Sequence, residues 1–567
     1  MTFAAAKFRK FLPAAMFTMA VEFVMGMASS VVCGNVLGER GLSVVNLMQP
    51  AMGLVSFFAL LVGTGTSVLY ATEMGRFEGR RASEFLTQGL WSALLFGAGL
   101  MAVLALSREA VCAAFGVSGE VLAGVREFWL WFLPCAVLEP VMFFAASMCY
   151  ADGDSRLCVY AYLGQLAGCC GLAFPLTMGL GFAGCALGLG LWHLAAIAIL
   201  SLHLRKKSNS LKFVRHFSLA DTLRICRCSA GDASVKLCQA VLFMVLDLYV
   251  VARYGEGKLP VLAVVVAILA LSEVFDGIGT AAQPLASVYI GEKNDRLTRR
   301  IMTYAVAVAL GSGLVLMVAL AAFPQAVVWL MGLRGEALEA QALTAVRVAS
   351  VGLPAVALVM LINSYYTFCA KEGLATSITV LSTLAIPLGL LPLSGLSERP
   401  EWLWLVLAAS PYLAIAAIAW YVRKVYGKDQ WPLFLSLPRV RKQRVFDLKL
   451  EERQICEVAD KIGKFLRIRQ GMNERRAGLS SLLVEETLMV VKDRNRGKSI
   501  NAEITIDRND APELTLTIRD DGEIFDLTDT DAEVNSLRVY LVANIMTALP
   551  ARRNMTTTGF NRNCFKI

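Results

Sequence analysis

The stretch Gly63-Thr-Gly-Thr-Ser67, running on to Met74-Gly-Arg-Phe-Glu-Gly-Arg80, has a counterpart 216 residues later in Gly279-Thr-Ala-Ala-Gln-Pro-Leu285, running on to Tyr289-Ile-Gly291. That shift sets Gly63, Thr64, Gly75 and Arg80 on Gly279, Thr280, Gly291 and Arg296, and a shift of 220 sets Pro134 and Gly153 on Pro354 and Gly373. Near-equal shifts point to internal duplication. Both copies lie in apolar sequence long enough to cross a bilayer. Such stretches run from Phe11 to Val36 and over 45–72, 88–106, 128–151, 157–178, 183–203, 233–253, 259–290, 301–323, 341–370, 374–395 and 402–422, twelve in all. Six spans per half is an even number, so the copies have the same orientation and are related by a pseudo-two-fold along the membrane normal.

Composition agrees. The chain has 567 residues, 56% hydrophobic and only 17% charged, with a mean hydropathy of +0.58, which excludes a soluble enzyme. The first apolar run is longer than a signal-peptide core and reads as a span. Loops terminating even-numbered spans, with the N-terminus, carry 19 Lys and Arg against 8 in the opposite set, so both termini are expected in the cytoplasm of a multi-pass plasma-membrane protein. The net charge of +9 belongs to these loops and not to a nucleic-acid binder. Most of the fourteen cysteines lie in or between apolar runs, where a thiol behaves as a small hydrophobe. Cys226-x-Cys228 with His216 upstream lacks the paired spacing of a zinc site, and no metal centre is expected. The expected division is a first six-helix bundle at 1–203, a basic linker at 204–232, a second bundle at 233–428, a basic juxtamembrane linker at 429–444 and a small α+β domain at 445–567.

Carboxylates inside a bilayer are costly, which makes Glu22, Glu139, Asp247, Glu273 and Asp276 the candidates for binding a coupling ion or a cationic substrate. The competing reading is that each is hydrogen-bonded between helices and holds the fold. Glu273 and Asp276 share a helical face. Lys236 enters the seventh span with Gln239 one turn on, and the duplication sets Gln239 opposite Glu22 and Asp247 opposite Ser30. Polar groups at equivalent depths fit a cavity near the midplane better than lipid contact.

Beyond Tyr426 the composition becomes that of a soluble domain, entered through Pro432, Pro438 and the basic run 439–444, which suits anionic lipid headgroups. The expected order is strand 445–450, helices 451–469 and 476–495, strands near 500–508 and 513–520, a loop, helix 536–547 and a strand at 559–567. Alternation in Ile504-Thr-Ile506 and Leu514-Thr-Leu-Thr-Ile518 supports the middle strands.

The span-end stretches quoted above, with Gly352-Leu-Pro354 and Asn363-Ser-Tyr-Tyr, resemble those of multidrug and toxic compound extrusion (MATE) transporters over residues 8–425. The resemblance implies a secondary antiporter that exports cationic or amphipathic small molecules, driven by H⁺ or Na⁺. Ser29 stands where many members carry the coupling aspartate, and Glu22 lies two turns earlier on nearly the same face. The tail, with Glu485-Glu486-Thr-Leu on a helix and Ile518-Arg-Asp-Asp-Gly-Glu-Ile-Phe-Asp526 after a strand, resembles the ATP-binding (Bergerat) fold of histidine kinases and anti-sigma-factor serine kinases. That resemblance implies Asp520 accepting from adenine, Gly522 passing close to the base, Glu486 as the catalytic carboxylate and Arg538 neutralising phosphate. Val490, or Met489 in a register one residue off, stands where the Mg²⁺-binding Asn is expected, and Ser536-Leu-Arg538 replaces a Gly-x-Gly phosphate loop, so catalysis is not expected, while ATP in the tail stays open. A membrane-tethered serine kinase and a non-transporting sensor remain the alternatives, and a regulatory protein is a candidate partner at the tail. The fold class expected is mainly α: a polytopic membrane protein of twelve transmembrane helices in two pseudo-symmetric bundles, plus a small cytoplasmic α+β sandwich.

Overall fold

The computed structural model describes residues 3–114, 119–206, 209–254, 259–330, 336–394, 401–428, 430–434, 444–508, 514–527, 536–557 and 559–567. Helices occupy almost all of the chain before residue 427: α1 Phe3–Gly75, α2 Gly79–Ala114, α3 Gly119–Phe132, α4 Cys135–Ala151, α5 Ser155–Gly168, α6 Phe174–Ser201, α7 Leu219–Tyr254, α8 Leu259–Ala270, α9 Ser272–Gly291, α10 Asp295–Ala322, α11 Pro324–Leu330, α12 Glu336–Ser350, α13 Leu353–Phe368, α14 Glu372–Val380, α15 Ile386–Ser394 and α16 Glu401–Tyr426. Among the described residues the apolar stretches fall on helix, apart from short breaks at 133–134, 271, 323, 351–352 and 369–370. Among the described residues, seven helices are long and apolar enough to cross a membrane, or nine when two bent pairs each count as one span. The molecule is a multi-pass, mainly helical membrane protein, and exposed Val103, Leu106, Met178, Val315 and Val318 give it an apolar outer surface.

The helical run α1 folds back on itself. A straight helix of 73 residues would be about 110 Å long. Yet Phe3 packs on Phe560 while the Met74 carbonyl accepts from Arg562, so both ends of the run meet the same sheet. The reversal lies where the Gly41 backbone abuts the Cys33 carbonyl. The apolar stretches 11–36 and 45–72 are therefore the two arms of α1.

The duplication is visible in irregularities as well as in helices. The α3/α4 pair bends by 46° and the α12/α13 pair by 44°. Five-residue π turns interrupt the helices at Cys169–Ala173 and Leu381–Ala385. Four tight turns carry a positive φ at Phe77, Gly153, Lys293 and Ala370; Phe77 matches Lys293 at the shift of 216, and Gly153 matches Ala370 at 217, not Gly373 as the shift of 220 sets it, because Gly373 already lies in α14. Of the segment expected as a linker at 204–232, residues 209–218 carry no helix, and α7 already begins at Leu219. The segment is held down by His203, whose ring nitrogens lie 2.7 Å from Asp152 and 2.8 Å from Asp154. Burial opposes the charge on Asp154, but hydrogen bonds from His203 and Lys206 prevail and hold its pKa at about 2.

Past the membrane region come β1 Arg444–Lys449, α17 Glu452–Gln470, α18 Glu474–Arg494, β2 Asn501–Arg508, β3 Leu514–Asp520, α19 Ser536–Ala548, β4 Arg552–Thr557 and β5 Asn561–Lys566. The sheet is antiparallel throughout, in the order β1-β2-β3-β5-β4. One correction concerns its end. The single strand expected at 559–567 is the second arm of a hairpin whose first arm, β4, is polar and lacks the alternation that marks a half-buried strand. Helix α17 buries Ile455, Val458, Ala459, Ile462 and Leu466, spaced by three and four, against Ile504, Ile506, Leu516, Ile518 and Phe565 on one face of the sheet.

A charged site between the halves, and a seal at the end that carries the tail

Lys236 of α7 donates to Glu273 of α9 at 2.5 Å, and the same ammonium acts electrostatically on Glu139 of α4 and on Asp276 of α9. One cation thus pairs with Glu273 and acts at longer range on two further carboxylates. Glu139 also accepts from Ser56 at 2.6 Å, Asp276 is hydrogen-bonded to Ser364, and Gln239 donates to Ser272 at 3.3 Å. Asp276 lies fifteen residues from the end of α9 at Gly291, and Glu139 twelve from the end of α4 at Ala151. At 1.5 Å per residue these groups are about 22 and 18 Å deep from the end that carries the tail, near the middle of a hydrocarbon core about 30 Å thick.

Beside Asp276 is a chamber of about 30 Å³ shared by the halves, with Met19, Phe143 and Tyr162 from the first and Asp276, Gln283 and Phe368 from the second. That volume is enough for about one water. Gln283 donates to Ser67 at 2.5 Å, joining two positions that are 216 residues apart, the repeat shift itself.

Of the residues expected at this site, Glu139, Gln239, Glu273 and Asp276 are gathered around Lys236. The Glu22 and Asp247 side chains, with that of Ser30, lie outside the described residues. Sequence reasoning found the carboxylates and Lys236 but missed Ser56 and Ser364. A serine in an apolar helix gives no signal until its partner is known.

Nearer the tail the halves are in contact. Gly75 and Gly291, equivalent in the repeat, pack backbone to backbone, so that a Cβ on Gly291 would sit 2.9 Å from the Gly75 Cα and closer still to the Thr72 carbonyl. Across this seal lies the sheet face opposite the tail's helices. Glu292 takes ion pairs from Arg519 of β3 and from Arg562 of β5, the latter at 3.3 Å. Arg562 also donates to the Met74 carbonyl and lies 4.2 Å from the Phe77 ring centroid. Arg300 pairs with Asp447 at 2.6 Å, and Arg519 with Glu503 at 3.0 Å. Three carboxylates, Glu292, Glu503 and Asp447, therefore answer three guanidiniums. Burial, reinforced by Asp447 and Glu292, raises Glu503 to about 7 against the pull of Arg519 and Arg300. Burial likewise lowers Arg562 to about 10. Gly153 and Gly559, both at positive φ, bring the first half and the tail into backbone contact. Gly75, Gly153 and Gly291 stood out from sequence only as repeat positions, and none of the charged docking residues was singled out as such, although charges at 503, 519 and 562, aligned across three strands, are a detectable signal once strand pairing is known.

The MatE family model matches residues 14–176 and 233–391, one block in each half and more than half of the chain. The chain belongs to the MatE family. Among solved structures, a MOP-superfamily transporter from Pyrococcus furiosus, described by a binding pocket of reverse polarity, is 18% identical with a TM-score of 0.67, over 74% of this chain and 95% of that one. A multidrug resistance MATE transporter in an outward-facing conformation is 19% identical, with the same TM-score and coverage. A MATE protein in a straight conformation is 17% identical, again at 0.67 with the same coverage. No curated protein matches the chain by sequence.

In this MatE protein the four tail residues singled out for nucleotide chemistry form two pairs. Glu486 is bound by Arg538 at 2.8 Å, and Arg538 also reaches Asp493 at 3.4 Å. Asp520 is buried and accepts from Asn561 at 2.8 Å and from the Gly522 amide at 3.1 Å. Its second oxygen, Oδ2, has no partner among the described residues. Burial raises the Asp520 carboxyl to about 7, against the hydrogen bonds from Asn561 and Gly522. A Cβ at Gly522 would meet the Asn495 amide at 2.7 Å, so close approach there is required by the fold itself.

Proposed function

We propose that this chain is a secondary active transporter that exports cationic or amphipathic small molecules against an H⁺ or Na⁺ gradient, with twelve spans, both termini in the cytoplasm and a regulatory tail. The observation that carries the reading is the cluster of Glu139, Glu273 and Asp276 around Lys236 at the junction of the halves. Its formal charge is −2, and a site of that sign near mid-membrane binds a cation or a proton. An ion or proton taken up by Asp276 or Glu139 competes with a cationic substrate for the same charge, and a difference in affinity between inward- and outward-open states biases alternation between them. In the present state the chamber of about 30 Å³ is too small for a drug-sized molecule, and the Gly75–Gly291 contact closes the end that carries the tail. Substrate therefore enters when the halves part. Relatives described as multidrug resistance MATE transporters support the same reading.

Reconstitution in vesicles with an imposed pH or Na⁺ gradient and a panel of dye cations tests it. Dye movement driven by the gradient, lost in Asp276→Asn and Glu139→Gln, is expected. A gradient that moves no dye, with binding retained, overturns transport in favour of a sensor.

A second reading concerns the tail. The unpartnered Oδ2 of buried Asp520 is an open acceptor of the kind an exocyclic amine would use. With Val490 in place of a metal ligand, nucleotide binding without phosphoryl transfer is the form supported. Saturable labelled-ATP binding to the full chain, lost in Asp520→Asn and without hydrolysis, is the expected result; no binding removes the reading.

A further inference from the structure

The sheet face that docks on the membrane region does not meet it everywhere. Between β2, β3, β5 and β4 on one side and the turns Gly75–Glu78 and Gly291–Asn294 on the other is a cleft of about 780 Å³. It lies on the opposite face of the sheet from Asp520 and the helices, so it is separate from the tail site considered above. Five cationic side chains line it: Arg76, Lys293, Arg519, Arg552 and Lys566, Arg76 being also paired with Glu73 at 2.7 Å, whereas the Arg553 side chain turns to the other face of the sheet, toward Asp526. Three carboxylates among the lining residues, Glu78, Glu292 and Asp507, oppose them, which leaves a formal excess of two positive charges. Glu292 is already engaged by Arg519 and Arg562. Among the described residues, no carboxylate lies within 4.0 Å of Lys293, Arg552 or Lys566.

Two buried donors lining the cleft are also unused. Asn294 is 1% exposed; its Oδ1 caps α10 by accepting from the Leu297 amide at 3.1 Å, while its Nδ2 has no acceptor among the described residues. Arg519 is likewise 1% exposed, and its Nε has no acceptor among the described residues. A buried donor without a partner is destabilising, and an anion in the cleft would relieve both. The N-terminus of the 28-residue helix α10 opens at the same place and favours negative charge. Asp295 in its first turn is turned aside to Arg299 at 2.9 Å.

From these features we infer that the cleft is a binding site for a phosphorylated small molecule. Excess positive charge, planar guanidiniums and amide donors converging from several directions match the oxygens of a phosphate group. The volume exceeds that of a lone phosphate and suits an organic phosphate or a polyphosphate. The donors come from the first half through Arg76, from the second through Lys293 and Asn294, and from the tail through Arg519, Arg552 and Lys566. A ligand held by all three ties the tail to both turns next to the Gly75–Gly291 seal and stabilises the sealed state. This last step rests on the regulatory reading of the tail; the site itself does not.

The test uses the full chain in nanodiscs of phosphatidylcholine, titrated calorimetrically with inorganic pyrophosphate and with ATP, and with sodium sulfate at matched ionic strength. A second arm replaces part of the lipid with phosphatidic acid, which separates a headgroup from a free phosphate as the source. Saturable binding is expected with pyrophosphate or ATP, or its suppression by phosphatidic acid, and not with sulfate. Arg552→Glu and Lys566→Glu reverse exposed charges that the fold does not need, and each should weaken binding by about tenfold or more. No saturable binding from any phosphate source, or binding indifferent to both reversals, overturns the site. Transport after deletion of residues 438–567 is read separately. Binding with no effect of the deletion keeps the site and removes the regulation, whereas an effect of the deletion without phosphate binding does the reverse.

Discussion

Replacing Gly291 by alanine tests whether the contact between the repeats is the gate. The new Cβ would lie 2.9 Å from the Gly75 Cα and nearer still to the Thr72 carbonyl, where ordinary contact is about 3.5–4.0 Å. Both obstacles are backbone, so no rotamer change relieves them and the helices must separate by roughly 1 Å. Overpacking of this kind costs about 1–3 kcal/mol, and it falls on the sealed state alone because the contact is lost when the halves part. The ratio of open to sealed molecules should therefore rise by roughly 5- to 150-fold. Spin labels attached through non-canonical residues at Arg80 and Arg296, at equivalent positions in the two halves, report the separation as a distance distribution. Gly291→Ala should broaden it or add a longer component, and Gly75→Ala should do the same. Unchanged distributions in both variants, with wild-type melting temperatures, would refute the assignment of this contact as the closure.

Lys236→Met removes the ammonium that faces Glu139, Glu273 and Asp276; loss of a partner from such a cluster costs about 3–5 kcal/mol. The melting temperature should fall and partly recover on addition of a dye cation, and an unchanged melting curve counts against the cluster. His203→Phe removes the ring that bridges Asp152 and Asp154 and leaves them only Ser210 and Lys206; it should cost about 1–3 kcal/mol, read as a lower melting temperature with faster hydrogen exchange over 209–218. Docking of the tail should depend on pH. Glu503 has an ordinary carboxylate pKa when the sheet face is free and one of about 7 when it is buried against the membrane region, so the docked state holds the extra proton. That contribution, about 3 kcal/mol, is present below the ordinary carboxylate pKa and is lost as pH rises through about 7. Between pH 5 and 8, hydrogen exchange in β3 should quicken with rising pH beyond its intrinsic dependence, and Glu503→Gln should flatten the profile.

How far the sequence discloses this molecule follows from which forces are local. A span is legible because about 20 apolar residues in succession have one favourable environment, and the repeat is legible because glycines and prolines at turns and bends recur at one spacing. The π turns and the equal bends at α3/α4 and α12/α13 lie at positions the apolar pattern does not distinguish. The tail was legible wherever one strand face was apolar, as in Ile504-Thr-Ile506, and illegible in β4, whose residues line the polar cleft instead of the tail's core. The same division holds at the sites. Glu139 and Asp276 stand out because a carboxylate in a hydrocarbon setting is expensive, but their partners Ser56 and Ser364 do not, since a serine there costs little.

The docking face is the sharper case. Glu503, Arg519 and Arg562 have the composition of a solvated sheet surface, and alternation alone assigns them to water. Each is nonetheless 1% exposed or less. What buries them is a second charged surface: Glu292 takes both Arg519 and Arg562, while Arg300 pairs with Asp447 of β1. Burial of this kind is balanced by pairing and not by hydrophobicity, so neither partner carries a local mark of it. Pairs this deeply buried are little screened by salt, and removing one partner leaves an uncompensated buried charge, so the contact depends on each partner being present more than on ionic strength.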